Sequence, residues 1–166
     1  ALDAMIRVDH AGEFGAVRIY EGQLAVLPPG PARDAVAEMA EQEKRHLETF
    51  DRLIAERRVR PTLLSPLWRV AGFALGAITA RMGPRSAMAC TVAVEGVIDD
   101  HYREQAAHLG LEDAGLKATI EEFRADELAH RDTALEHEAE QATGYPVLSA
   151  LVKAGSRAAI WLSMRL

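Results

Sequence analysis

A chain of 166 residues, 49% hydrophobic and 27% charged, can bury roughly 70% of its unfolded surface in one core and is too evenly mixed to be disordered or wholly embedded in lipid. Its formal net charge is -6, with no basic run, which excludes nucleic acid as a partner, since phosphate binding needs a clustered basic face. The lone cysteine, Cys90, rules out an internal disulfide or a Cys-x-x-Cys metal site and reads as a small buried residue.

Residues that break helices divide the chain. They are Pro28-Pro29-Gly30-Pro31, then Pro61 and Pro66, Gly83-Pro84, Gly110, and Gly144 with Pro146. Proline removes a helix hydrogen bond, and glycine favours helix ends. Six segments remain, near 2–27, 32–60, 66–82, 85–109, 112–142 and 146–165. The first predicted helix puts Ile6, Val17, Tyr20, Leu24 and Leu27 on one stripe, with Glu13 in its middle. On the second, Val36, Met39, Phe50 and Leu53 frame Glu43 and His46. The third, Thr62 to Ala80, is the most apolar; it contains Pro66 and Arg69 and is too short and broken to span a bilayer comfortably. On the fourth, Met88, Val92, Ile98 and Tyr102 surround Glu95, and on the fifth, Leu116, Ile120, Phe123 and Ala134 surround Glu127 and His130. The sixth alternates apolar residues with Lys153, Arg157 and Arg165 and carries Trp161.

Positions three and four apart share a helix face, so each Glu-x-x-His pair points both side chains the same way. Buried carboxylates are costly unless neutralised. Four glutamates and two histidines on apolar stripes, with no lysine or arginine among them, require a cation. An all oxygen-and-nitrogen set without thiolate suits a pair of iron or manganese ions. One glutamate from each of two helices plus Glu-x-x-His from each of two others is the ligand pattern of di-iron carboxylate bundles. Glu13 and Glu43 are 30 residues apart, and Glu95 and Glu127 are 32 apart, so each half repeats helix, turn and helix. The expected fold is all-α: a four-helix bundle with two additional apolar helices, one domain over residues 1–166. The expected metal ligands are Glu13, Glu43, His46, Glu95, Glu127 and His130.

Several motifs carry a family resemblance over essentially the whole chain. They are Arg7-Val-Asp-His-Ala-Gly-Glu13, Gln42-Glu-Lys-Arg-His46, Ala89-Cys-Thr-Val-Ala-Val-Glu95, His101-Tyr102 and Asp126-Glu-Leu-Ala-His130-Arg-Asp132, with Val59-Arg-Pro-Thr, Pro66-Leu-Trp, Gly72-Phe-Ala-Leu-Gly76 and Arg165-Leu166. Together they resemble the demethoxyubiquinone hydroxylase family of ubiquinone biosynthesis. The family often has a second acidic residue where this chain has Gly96, a position not expected to be a ligand.

The resemblance implies a ferritin-like bundle with a non-haem di-iron centre (two Fe ions cycling between Fe2+ and Fe3+). It implies that one atom of dioxygen enters the ring of a polyprenylated demethoxyubiquinone or demethoxyubiquinol, with an external electron donor such as NADH. Glu43 and Glu127 are then the bridging ligands, and Glu13 and Glu95 the terminal ones. Asp126 resembles the aspartate of related Asp-Glu-x-x-His patterns and is placed to accept from His46 across the bundle, with Gln42 at the matching position of the first half. His101 and Tyr102 are candidates for a catalytic proton or electron relay; a core tyrosine beside a surface histidine is the alternative.

The third and sixth helices are expected to lie against a membrane surface, ordinary core packing being the alternative. A channel for the lipophilic substrate is expected near Leu67, Phe73 and Trp161. Gly72, Gly76 and Ala80 recur four apart and permit a close helix contact, as in a homodimer. The expected location is peripheral, on the cytoplasmic face of a bacterial inner membrane or the matrix face of a mitochondrial one. The expected partners are the quinone substrate, dioxygen, the membrane and a lipid-binding accessory protein. A di-iron quinol oxidase or a ferritin-like iron-binding protein are the rival readings, and the apolar third segment argues against the latter.

Overall fold

The computed structural model describes residues 2–166, and every regular element among them is helical. They are α1 (Leu2–Val26), α2 (Pro31–Glu56), α3 (Ser65–Arg81), α4 (Pro84–His108), α5 (Ala114–Glu136) and α6 (Tyr145–Ser163), with single 3-10 turns at Leu111–Asp113 and Ala139–Gln141. Pro31 and Pro84 sit in the first turns of α2 and α4, where a missing N–H costs nothing. Gly83, before Pro84, takes φ 126°, which a side chain would strain. Two helices stop short of their expected limits. After Glu56, Arg57 and Arg58 form a turn with Arg58 at φ 53°, so 57–60 is not helical. After Glu136, Glu138 at φ 63° opens the 3-10 turn.

The chain folds as two antiparallel helix pairs, α1 with α2 and α4 with α5, with α3 crossing between them. α3 packs chiefly on α1, and α6 on α4. Along the bundle axis, two apolar clusters bracket a polar layer. One holds Ile6, Phe50, Ile98, Tyr102, Ile120 and Phe123; the other holds Tyr20, Val36, Met39, Met88, Val92 and Ala134. Each bundle helix contributes to both, so its central turn is the one left for polar groups. Cys90 is fully buried, and burial pushes its thiol up to about 12, as suits a core residue.

α1 and α3 meet backbone to backbone. A Cβ at Gly76 would stand 1.9 Å from the Ile19 carbonyl oxygen, and one at Gly22 would stand 2.1 Å from that of Phe73. The close contact expected of Gly72 and Gly76 is thus spent inside the chain, against Gly15, Arg18 and Ile19. The spacing thus serves a contact between α1 and α3. The opposite faces of α3 and α6 are apolar and open: Val70 is 68% exposed, Ile78 60% and Leu151 68%. No described helix is long and apolar enough to cross a membrane.

Candidate metal centre

Glu13 on α1, Glu43 and His46 on α2, Glu95 on α4, and Glu127 and His130 on α5 converge in the polar layer, every one of them buried. Two groups of four ligand atoms form there, each group with its atoms within 4.8 Å of one another: Glu13, Glu43, His46 and Glu127, and Glu43, Glu95, Glu127 and His130. The groups share Glu43 and Glu127, the two glutamates contributed by the Glu-x-x-His turns.

The cluster lacks partners of its own. Glu13 Oε2, both Glu43 oxygens, Glu95 Oε2, Glu127 Oε2 and His130 Nδ1 are buried without a hydrogen bond, in a setting where most buried polar atoms have one. His130 Nδ1 lies 3.0 Å from Glu43 Oε1 but is misdirected for a hydrogen bond. The titration behaviour shows the same deficit of positive charge. Glu43 and Glu127 are pushed well above the usual carboxylate range, first by burial and then by the negative charges facing them. At Glu95 burial pushes upward too, but the neighbouring Glu127 and His130 and the hydrogen bond from Tyr20 hold it below its ordinary value. Burial disfavours both imidazolium ions, yet the surrounding carboxylates outweigh it and raise His46 to about 9 and His130 to about 12. A site that draws protons onto both histidines and two of its carboxyls is one that a multivalent cation would satisfy. The donor set, six side chains offering oxygen and nitrogen only, fits a pair of iron or manganese ions.

The histidines are held from behind. His46 turns Nδ1 to the cluster, 3.2 Å from Glu127 Oε1, and places Nε2 2.9 Å from Asp126 Oδ2. His130 likewise faces the cluster with Nδ1 and places Nε2 2.5 Å from Gln42 Oε1. Such outer contacts fix the tautomer, leaving Nδ1 free to ligate. Phe123 stacks on the His46 ring with centroids 3.9 Å apart.

Tyr102 donates its phenol to Glu13, and Tyr20 donates to Glu95. Burial and the neighbouring carboxylates push both phenols well above their ordinary value, so they stay protonated donors. Sequence reading placed Tyr102 near the site but took Tyr20 for a core aromatic. Its signal was the spacing: each tyrosine follows its glutamate by seven residues, two turns along the same face. His101, the other relay candidate, is partly buried and belongs to neither group of four. Its Nε2 lies 3.4 Å from Asp9 Oδ1 and 2.7 Å from Gln105 Nε2. Gln105 also donates to Asp9 at 2.6 Å, and this buried network went unread because short polar side chains on a helix look like surface.

An apolar cavity of about 290 Å3 lies between the bundle and the outer helices. Ala16, Val94 and Ile98 line its inner wall, and Trp68, Leu75 and Ile160 its outer wall. Gly12, Ala16, Val94 and Ile98, all in its lining, come from the turns that carry Glu13 and Glu95. Leu67, Phe73 and Trp161, named from sequence for access, are not in the lining; they stand 52%, 43% and 53% exposed on the outer surface.

The family model for the ubiquinone biosynthesis protein COQ7 matches residues 1–163. The 3-demethoxyubiquinol 3-hydroxylase of Rhodospirillum rubrum is 56% identical over 165 residues, covering 99% of this chain and 78% of that protein. The mitochondrial NADPH-dependent 3-demethoxyubiquinone 3-hydroxylases of Dictyostelium discoideum and Homo sapiens are 56% identical over 167 residues and 52% over 170. They cover 99% and 100% of this chain and 77% and 78% of their own lengths. A likeness that spans all six helices places this chain in the COQ7 family of ubiquinone biosynthesis proteins.

Proposed function

We propose that this chain is a di-iron monooxygenase that hydroxylates the ring of a polyprenylated demethoxyubiquinol. The observation that carries the reading is the cation-deficient cluster of Glu13, Glu43, His46, Glu95, Glu127 and His130 set directly behind an apolar cavity. The overall change is the replacement of a ring C–H by C–OH. One oxygen atom of dioxygen goes to the ring and the other leaves as water, with two electrons and two protons supplied from outside. Two bound irons would supply the dioxygen and electron chemistry that amino-acid side chains lack.

The protein's own part is to bind, orient and keep dry. Glu13, Glu43, His46, Glu95, Glu127 and His130 would hold the two ions, with Glu43 and Glu127 shared between the two groups and Glu13 with His46 and Glu95 with His130 each belonging to one. Tyr102 and Tyr20 hold the terminal carboxylates in one orientation by donating to a single oxygen of each. The cavity receives the ring and the first part of its tail, and its largely apolar lining excludes water. The electron donor is of the nicotinamide class. Relatives named NADPH-dependent favour NADPH over the NADH expected from sequence.

The outer surface suits peripheral attachment to a membrane. Leu67, Val70, Phe73, Leu151 and Trp161 are exposed beside Arg69, Lys153 and Arg157, a pairing of apolar and basic groups that fits a lipid surface with anionic headgroups. A lipid-binding accessory protein would find the same face.

Mass spectrometry of the quinone pool in cells lacking the protein tests the reading. A demethoxy precursor should accumulate, and isotopically labelled dioxygen should mark the restored hydroxyl when the gene is returned. Dioxygen uptake without label in the quinone would mean a quinol oxidase instead.

A further inference from the structure

The two halves of the centre repeat one another closely. Glu13 with Tyr20 on α1 matches Glu95 with Tyr102 on α4, and Glu43-x-x-His46 matches Glu127-x-x-His130. The phenols cross over, each donating to the other half's terminal glutamate. Against this symmetry one difference stands behind the histidines. The Nε2 of His46 faces the Asp126 carboxylate at 2.9 Å, whereas that of His130 faces the Gln42 amide oxygen at 2.5 Å. Both groups accept a hydrogen bond, so both fix the ring. Only one of them carries a charge. A second difference has the same sense: one turn before the terminal glutamate, α1 bears buried Asp9 where α4 bears buried Thr91.

We infer that Asp126 and Gln42 are positioning residues that make the two metal positions unequal. The position bounded by His46 and Glu13 binds its ion first and more tightly than the one bounded by His130 and Glu95. This rests on the reading of the cluster as a two-metal centre. A carboxylate hydrogen-bonded to the far nitrogen of a ligating imidazole makes that imidazole a more basic ligand, and loss of such a partner typically costs about 10–100-fold in metal affinity. A neutral amide oxygen orients the ring without adding that charge. Asp126 is 42% exposed along its side chain, so solvent screens part of its charge and places the effect toward the lower end of that range.

The test is an anaerobic titration of the metal-free protein with ferrous iron by calorimetry, together with Mössbauer spectra at one equivalent of labelled iron. Wild type should show two resolved steps and one dominant Mössbauer signal at one equivalent. D126N keeps the hydrogen bond and removes only the charge; it should weaken the tighter step by about 10-fold while sparing the other. Q42E should tighten the weaker step and give two comparable signals at one equivalent. Unchanged constants in Q42E would overturn the inference, as would equal signals in the wild type. Should D126N fail to fold, Q42E and the wild-type spectrum decide it. If the protein binds no iron at all, the two-metal reading falls and takes this inference with it; two equal sites would remove the inequality alone.

Discussion

The inner and outer layers of this molecule have opposite polarity. Within α1, α2, α4 and α5 the charges are inside, with Glu13, Glu43 and Glu127 wholly buried and Glu95 nearly so. On α3 and α6 the apolar side chains are outside, with Leu67, Val70, Ile78 and Leu151 all more than half exposed. Neither layer satisfies itself in water. The inner one asks for a cation to replace the hydration its carboxylates have lost. The outer one is an apolar patch of the kind that marks an interaction surface. The cavity lies between the two, where a molecule with a polar head and an apolar tail meets both demands at once.

The inner layer breaks most completely at the shared ligands. Glu127→Ala should abolish hydroxylation and remove both ions, whereas Glu95→Ala should abolish hydroxylation while one ion is kept. Elemental analysis after iron loading separates the two outcomes. Both variants should stay helical by circular dichroism, since each removes one of four carboxyls crowded together in the buried layer of the metal-free bundle. Two irons retained by Glu127→Ala would contradict the bridging assignment.

The outer layer should respond to charge. Reversing Arg69, Lys153 and Arg157 to glutamate should weaken binding to anionic vesicles by about 1 kcal/mol or more for each basic residue lost. Turnover on a long-tailed quinol should fall, and turnover on a short-tailed soluble analogue should hold. Equal losses on both substrates would mean that the helices had been damaged and not their attachment.

The seam joining the layers is tested at Gly76. Gly76→Ala drives a methyl group into the Ile19 carbonyl and should cost about 1–3 kcal/mol by overpacking, read as a lower thermal midpoint. Gly12→Ala is the control, because a Cβ there meets nothing within 4 Å. A Gly76→Ala midpoint equal to that of wild type would show that the two backbones part easily.

The smallest effect is on the pH dependence of the metal-free form. The folded pKa values of Glu43, Glu127, His46 and His130 all lie above their ordinary values. The protonated forms of these groups therefore stabilise the fold at low pH, and that stability is lost as pH rises. For His46 the window runs from its ordinary 6.5 to about 9. The metal-free midpoint should fall across that interval. Iron loading should flatten or reverse the slope, because metal binding itself displaces protons. A metal-free midpoint that rises with pH would contradict the charge balance described for the cluster.

Helices and the convergence of the six side chains were legible because both depend on periodicity: a glutamate in mid-stripe faces wherever the stripe faces. Groups whose role depends on what lies opposite were harder to read. Tyr20 sits on the apolar stripe as a leucine would, and only the fold aims its hydroxyl at Glu95 from α1 to α4. Asp9 and Gln105 carry no sequence signal of their meeting, which comes only where α1 and α4 touch and bury them together. Gln42 was recognised as the counterpart of Asp126, but its contact with His130 requires the register between α2 and α5. The glycines of α3 illustrate another limit. Their spacing announces a close helix contact without saying whose, and here the partner is α1 of the same chain. Helix ends were overrun at 57–60 and 137–142 because arginine and glutamate favour helix until a positive φ at Arg58 and Glu138 turns the chain.

Because α1 and α3 touch through Gly22 and Gly76 with no side chains between them, that seam has no rotamers with which to yield. Sliding or rolling one helix along the other would drive carbonyl oxygens into backbone atoms. The pair therefore behaves mechanically as a single beam, carrying Glu13 and Tyr20 along one helix and Leu67, Val70 and Ile78 along the other. α6, which meets the bundle mainly through α4, is the wall of the cavity left to flex. Amide exchange along α3 should accordingly be as slow as along α1, despite its exposed outer face. A guest entering from the apolar side would displace α6, while the beam keeps the distance from the outer surface to the carboxylates constant.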